Sequence, residues 1–166
     1  MTEQAAGAWV LLSYRLPREP STPRITVWRK LKRLGVAQIS DGLVALPADA
    51  RTREQLEWIA EEVVEADGSA GIWLARPGSV AQERELAASM RQARAEEYRV
   101  VAQQAAALAS GPVGERARGA ARLRAEMRRI GRRDFFPPVE REAAAVAVAE
   151  LAEGSGPRSG TRGVRA

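Results

Sequence analysis

The order of strand-like and helix-like segments in the first half of the chain constrains the fold more than any other feature. The run Trp9–Tyr14 is apolar and rich in β-favouring residues, and the Leu16–Pro17 pair ends it. A helix is expected to begin at Thr22 and Pro23, because threonine is a good N-cap and proline fits the first helical turn. The chain therefore opens with a strand followed by a helix.

A hairpin and a second helix follow this opening. Asp41–Gly42 joins two short apolar segments, and this dipeptide predicts a two-residue turn with positive φ at both positions. Thr52 then precedes a helical stripe over residues 53–66, and residues 70–75 form a last strand. The order β-α-β-β-α-β predicts an α+β fold of the ferredoxin-like type, an antiparallel sheet with two helices on one face.

The second half of the chain is predicted to be an α-helical C-terminal region. Its helical patterns cover residues 80–109, 115–133 and 139–153. The final segment, GSGPRSGTRGVRA, is rich in glycine and basic, and we expect it to be disordered. The predicted organisation is a ferredoxin-like unit at residues 8–78, a helical region packed on it at residues 79–153, and a disordered basic tail at residues 154–166.

The chain contains no cysteine and no histidine, which excludes several kinds of chemistry. It has no thiol nucleophile, no disulfide, no Cys/His zinc site and no imidazole general base. No apolar run reaches the ~18 residues of a membrane span, and the segment before Trp9 has no basic region. We therefore expect a cytoplasmic protein that is not an enzyme, needs no cofactor or metal, and does not bind membranes.

Basic side chains concentrate at residues 111–141, where nine basic side chains face four acidic ones. The helical period places Ala120, Leu123 and Ile130 on one face. Seven arginines occupy the opposite arc: Arg118, Arg122, Arg124, Arg128, Arg129, Arg132 and Arg133. Such an arc favours contacts with DNA phosphates. The alternative is an exposed face that is partly neutralised by the acidic helix at residues 54–65.

The helix that begins near Thr22 is a second basic element. It carries Arg29, Lys30 and Arg33 on one side, where they could contact phosphates or the guanine edges of double-stranded DNA. These side chains could equally form a solvated outer face, and we expect Trp28 to pack against the sheet. The sequence does not decide which basic cluster contacts DNA.

The turn between the first strand and the first helix is the predicted oxyanion site. Cationic and hydroxyl groups gather there: Arg15, Arg18, Ser21, Thr22 and Arg24. A helix N-terminus with adjacent arginines suits a dianion such as chromate or sulfate. The alternative is that the three prolines of the turn only stiffen the connection and the arginines are solvated.

Three segments carry a family resemblance. WVLLSYRLPREPSTPRITVWRKLKRLG, DGLVALPADARTREQLEWIAEEV and RRIGRRDFFP together resemble the N-terminal domain of the chromate resistance protein ChrB family, over roughly residues 8–153. The resemblance implies a DNA-binding regulator of chromate efflux genes, and we expect a homodimer that leaves DNA when chromate or a similar oxyanion binds. Longer members carry a second domain, and functions that need it are not expected of a chain that stops at Ala166.

Two other functions stay open from the sequence. The long helix and the arginine helix could dock an acidic protein partner. The strand end is also similar to that of a CRISPR-associated nuclease fold and of PaaX-type repressors, and the nuclease-like members place a metal-binding aspartate after the strand tyrosine. Here Arg15 follows Tyr14, and a cation at that position repels magnesium, so we expect no catalysis.

Overall fold

A computed structural model describes residues 7–154 of the chain. Within them, four strands and five helices form a mixed α/β structure, and none of these helices is long and apolar enough to cross a bilayer. The elements are β1 (Trp9–Arg15), α1 (Thr22–Leu34), β2 (Ala37–Ser40), β3 (Leu43–Pro47), α2 (Ala50–Glu65), β4 (Ser69–Ala75), α3 (Val80–Leu108), α4 (Val113–Gly131) and α5 (Glu140–Glu153). The predicted mixture of strands and helices is confirmed, and the ferredoxin-like assignment stays a prediction.

The described residues divide into two compact units. The first unit comprises residues 7–93 and 133–137, and the second comprises residues 94–132 and 138–154. Helix α3 contributes residues to both units. The boundary expected between residues 78 and 79 stays a prediction. The tail predicted at residues 154–166 lies outside the described residues, apart from Gly154.

An antiparallel sheet with strand order β2-β3-β1-β4 forms the base of the first unit. β1 is central, and its residue Leu12 lies opposite Val44 of β3 and Ile72 of β4. Leu31 of α1 and Leu56 of α2 are fully buried in the same core as Leu12. Because burial of such side chains stabilises the packed state, it holds both helices on the sheet and leaves their polar sides outside.

Both helices of the first unit begin earlier than the sequence predicts. The N-cap of α1 is Ser21 rather than Thr22, and Ser21 makes no side-chain capping bond. The N-cap of α2 is Asp49: the Thr52 N–H donates to the Asp49 carboxylate at 2.7 Å, and the Asp49 N–H donates to the Thr52 hydroxyl at 3.0 Å. Thr52 is thus the third residue of a capping box, which is why it marks the helix start without preceding it.

The turn between β2 and β3 corrects a further expectation. Gly42 has a φ of 73°, but Asp41 does not have a positive φ, although the sequence predicts it for both. The register of the hairpin shifts between Gln38 and Ser40, and this irregularity changes the backbone that the turn must follow. A Cβ at position 42 would lie 2.4 Å from the Tyr14 carbonyl oxygen, so glycine is needed there for space as well as for conformation.

The second unit is helical and has its own core. Tyr98 of α3, Leu123 of α4 and Val148 of α5 are buried together. Helices α3 and α4 approach closely at Gly119, where an added Cβ would lie 2.5 Å from the Leu108 Cδ1 atom. A side chain at position 119 would therefore require the Leu108 side chain to move.

Two arginines make contacts between helices of the second unit. The Arg116 guanidinium on α4 donates to the carbonyl oxygens of Ala109, just after α3, and of Gly154, just after α5. Arg99 on α3 forms an ion pair of 2.6 Å with Glu140, the first residue of α5. Because the last carbonyls of a helix lack partners within it, the Arg116 contacts satisfy groups that otherwise need water.

Candidate nucleic-acid and oxyanion sites

The arginines of α4 lie on a face that the core of the second unit leaves exposed. Ala120, Leu123 and Ile130 are buried, as the helical period predicts, so the opposite side of α4 faces solvent. The arginine face of α4 comprises the exposed side chains Arg118, Arg122, Arg124, Arg128 and Arg129. An exposed row of guanidinium groups on a rigid helix is suited to binding a polyanion.

The last two arginines of the predicted arc lie beyond the helix. α4 ends at Gly131, and Arg132 is its exposed C-cap. Arg133 is half-buried and belongs to the first unit, so it is not part of the arginine face. The sequence predicted a helix to residue 133, but α4 ends at Gly131, and glycine is a common residue at helix ends.

Acidic side chains flank one side of the arginine face. At about 100° per residue, Arg118, Arg122 and Arg129 lie close to the column that contains Glu115 and Glu126. The Arg129 Nε donates to the Glu126 carboxylate at 2.8 Å. The charge on this side of α4 is therefore partly neutralised within the helix itself.

The other side of the arginine face carries only basic and small residues. Arg124 and Arg128 lie one helical turn apart, next to Ala117 and Ala121, and all four are exposed. No ion pair within residues 7–154 involves Arg124 or Arg128. Because alanine side chains are short, an extended phosphate backbone can approach this side of the helix closely.

The basic side of α1 is smaller than the sequence suggests. Arg29 and Arg33 are exposed, but the Lys30 ammonium forms an ion pair of 2.6 Å with Glu62 of α2. Trp28 is half-buried against the core, as predicted. Two of the three predicted DNA-contacting side chains of α1 therefore keep an uncompensated charge at the surface.

The predicted oxyanion turn is exposed to solvent. This holds for Arg15 at the end of β1, for Arg18 in the turn, and for Ser21, Thr22 and Arg24 at the start of α1. The Ser21 hydroxyl makes no capping bond to the first N–H groups of α1. The N–H groups of Thr22 and Arg24 and the positive end of the helix dipole therefore remain available to an anion, whereas Pro23 has no N–H group to offer.

Strand alternation places Arg15 and Tyr14, the last two residues of β1, on opposite faces of the strand. Arg15 and Ser13 lie on one face of β1, whereas Tyr14 lies on the other. Next to Arg15, a shallow cleft of about 400 Å³ contains Ser13 and Trp73, whose indole N–H donates to the Ser13 hydroxyl at 2.9 Å. Tyr14 lines the same cleft as Arg15, and the charge of Arg24 acts on the Tyr14 hydroxyl. Whether the five predicted residues form one site stays a prediction.

Tyr14 is the residue of this region that the sequence analysis did not assign to the oxyanion site. Burial, the largest effect, raises the pKa of its hydroxyl above the ordinary value of 10.0; the charge of Arg24 lowers that pKa and Asp41 raises it. The charges of both groups therefore act on the phenol. A neutral Tyr14 hydroxyl can donate a hydrogen bond to an anion held by Arg24, while Asp41 opposes that anion.

The raised pKa of Tyr14 predicts how stability depends on pH. Folding favours the neutral phenol, so its contribution to stability is fully present below a pH of about 10 and is lost as the pH rises through the higher pKa of the folded state. Urea unfolding of the parent protein and of Tyr14→Phe measures this contribution at each pH. We expect the parent to lose stability relative to the variant above that pH, and a pH-independent difference would contradict the assignment.

Comparisons with known proteins place the chain near one family. The family profile described as Protein ChrB, N-terminal, matches residues 24–155. Protein ChrB of Cupriavidus metallidurans is 36% identical over 67 residues, which are 40% of this chain and 20% of that protein. The match thus spans about a fifth of the length of this curated relative. No solved structure matches the chain. The profile begins at Arg24, after most of the turn whose motif carried the resemblance.

Proposed function

The chain belongs to the family of ChrB N-terminal regions, and from that membership we propose that it acts in chromate resistance as a DNA-binding transcriptional regulator. In this proposal a homodimer binds operator DNA in the cytoplasm and is released when chromate or a similar oxyanion binds. The protein performs no catalysis and needs no cofactor. The ferredoxin-like assignment of the first unit belongs to the same proposal, and the strand order β2-β3-β1-β4 supports it.

The observation that carries the DNA-binding proposal is the side of α4 with Arg124 and Arg128. Both side chains are exposed, they lie one turn apart, and the neighbouring residues are alanines. Like charges at this spacing repel each other and destabilise the helix, unless a polyanion neutralises them. Phosphate contacts made in this way supply affinity without sequence information, so base recognition would come from other side chains.

Titration of labelled double-stranded DNA from upstream of the chain's own gene tests this proposal. We expect binding whose logarithmic affinity falls linearly with the logarithm of the salt concentration, because each phosphate contact releases a counterion. An unrelated duplex of the same length serves as the control for specificity. Failure to bind either duplex at low salt would rule out the DNA-binding function.

The oxyanion part of the proposal rests on the start of α1. There Arg18 and Arg24 are exposed, the Thr22 and Arg24 N–H groups have no side-chain cap, and the charge of Arg24 acts on the Tyr14 hydroxyl. Arginine and helix N–H donors suit a tetrahedral dianion, since they supply charge and directed hydrogen bonds together. The negative charge of Asp41, which also acts on the Tyr14 hydroxyl, opposes an anion at such a site.

Thermal unfolding in the presence of chromate measures whether this site binds. Ligand at about 100 times its dissociation constant stabilises a protein by about 2.7 kcal/mol, so we expect the midpoint to rise by a few degrees. Arg18→Ala combined with Arg24→Ala should abolish the rise. The control is Arg53→Ala combined with Arg84→Ala, which removes the same charge from two exposed positions of the first unit. In this control, chromate should still raise the unfolding midpoint. If chromate does not raise the unfolding midpoint of the parent protein, the proposal that this site binds an oxyanion is wrong.

A further inference from the structure

Strand β4 forms an edge of the sheet and has none of the usual features that keep an edge from pairing. Its sequence, SAGIWLA, contains no charged residue and no proline over seven residues. Within residues 7–154, β1 is its only strand partner. Proteins usually protect such edges with charges, prolines or bulges, because an open edge is a template for another strand.

Two large apolar side chains of this strand are exposed. Trp73 is 59% exposed and Leu74 is 60% exposed. Because they are neighbours in a strand, they lie on opposite faces of the sheet. The indole of Trp73 is held in place by its hydrogen bond to Ser13. Apolar surface is therefore available on both faces of the same open edge.

We propose that β4 pairs antiparallel with β4 of a second copy of this chain, about a two-fold axis at Ile72. This register places the large residues opposite small ones: Trp73 faces the second copy's Gly71, and Leu74 faces its Ala70. The Leu74 side chain then covers the gap that Ala70 of the second copy leaves. The indole of Trp73 lies over Gly71 of its own strand, where a Cβ would be 3.2 Å from the indole nitrogen, so each copy's Gly71 is covered by its own tryptophan.

The residues that flank β4 fit the same register. Asp67 and Gly68 precede the strand, and Arg76 follows it. In the two-fold arrangement, Gly68 of one copy lies opposite Arg76 of the other, so Asp67 comes next to a cation at both ends of the paired strands. An axis moved to Trp73 loses this match, because it places two indoles opposite each other.

The occupant is a second copy because the edge is complementary to itself. A two-fold interface requires that one surface supplies both halves of each contact, and here the large residues, the small residues and both charges belong to one strand and its flanks. The paired surface is limited to a strand and its side chains, so it lies at the small end of known interfaces. We therefore expect reversible association that depends on concentration.

The inference deepens the homodimer of the proposed function by naming its interface, and it is tested without DNA. Sedimentation velocity of the full chain at concentrations from about 1 to about 100 µM should show a monomer converting to a dimer. Trp73→Lys should leave the chain monomeric throughout this range, because it places like charges on the paired edges. Arg76→Glu should weaken association at least severalfold, since it brings two acidic side chains together.

Trp58→Lys is the matched control. Trp58 is 61% exposed on α2, so the substitution changes the same residue type at equal exposure away from the edge. The control should dimerise like the parent, and circular dichroism confirms that all variants are folded. A parent that stays monomeric, or a dimer that Trp73→Lys leaves intact, would overturn the proposed interface. Either result leaves DNA binding through α4 to be measured separately.

Discussion

Replacing Arg124 and Arg128 together with alanine is expected to weaken binding to every DNA sequence by about tenfold at moderate salt. The physical reason is the loss of two exposed charges that have no acidic partner on α4. The slope of logarithmic affinity against logarithmic salt concentration should become less steep by about 2, one unit for each lost phosphate contact. Fluorescence anisotropy of a labelled duplex at several salt concentrations measures both quantities.

A control on the same chain separates the arginine face from total charge. Arg53→Ala with Arg84→Ala also removes two exposed arginines, but both come from the first unit. This double substitution should change the affinity for DNA only slightly. The slope of logarithmic affinity against logarithmic salt concentration should stay unchanged. Arg129→Ala is a second comparison, because Arg129 pairs with Glu126 and its loss should cost less than the loss of Arg128. If all these variants weakened DNA binding equally, the assignment of α4 as the contact surface would be contradicted.

The largest loss of stability is expected from Leu31→Ala. Leu31 is fully buried where α1 packs on the sheet, and its truncation removes apolar contacts and leaves a cavity. Substitutions of this kind cost about 2–5 kcal/mol, a large part of the about 5–15 kcal/mol that holds a typical domain. Urea denaturation followed by circular dichroism gives the difference in the free energy of unfolding.

Two substitutions on the same helix serve as references for Leu31→Ala. Leu31→Met keeps most of the side-chain volume and should cost less than about 1.5 kcal/mol. Ile25→Ala changes a side chain that is 48% exposed and should cost much less than the truncation of the buried leucine. A loss for Leu31→Ala as small as that for Ile25→Ala would show that α1 is not fixed by this contact.

Features set by neighbouring residues were predictable from the sequence. The run from Trp9 and the Asp41–Gly42 dipeptide correctly indicated a strand and a hairpin, because strand periodicity and turn preference act over a few residues. The buried side of α4 followed from the 3.6-residue period in the same way. Helix boundaries were less certain: the capping box of Asp49 and Thr52 begins α2 before the threonine that the sequence analysis had placed ahead of the helix.

The contacts that define the candidate sites were not predictable, because they join residues far apart in the chain. Lys30 and Glu62 form an ion pair across 32 positions, and no local pattern marks either residue for the other. The effect of the Arg24 charge on the Tyr14 hydroxyl likewise joins a helix and a strand that no local pattern links.

The two carbonyl contacts of Arg116 have a consequence for how this part of the chain can vary. The acceptors at Ala109 and Gly154 are main-chain oxygens, which every amino acid supplies. Substitution at either of those positions therefore preserves the acceptor, whereas position 116 requires a long side chain with several donors. Related sequences should differ freely at the two helix ends and retain arginine at the position that joins them.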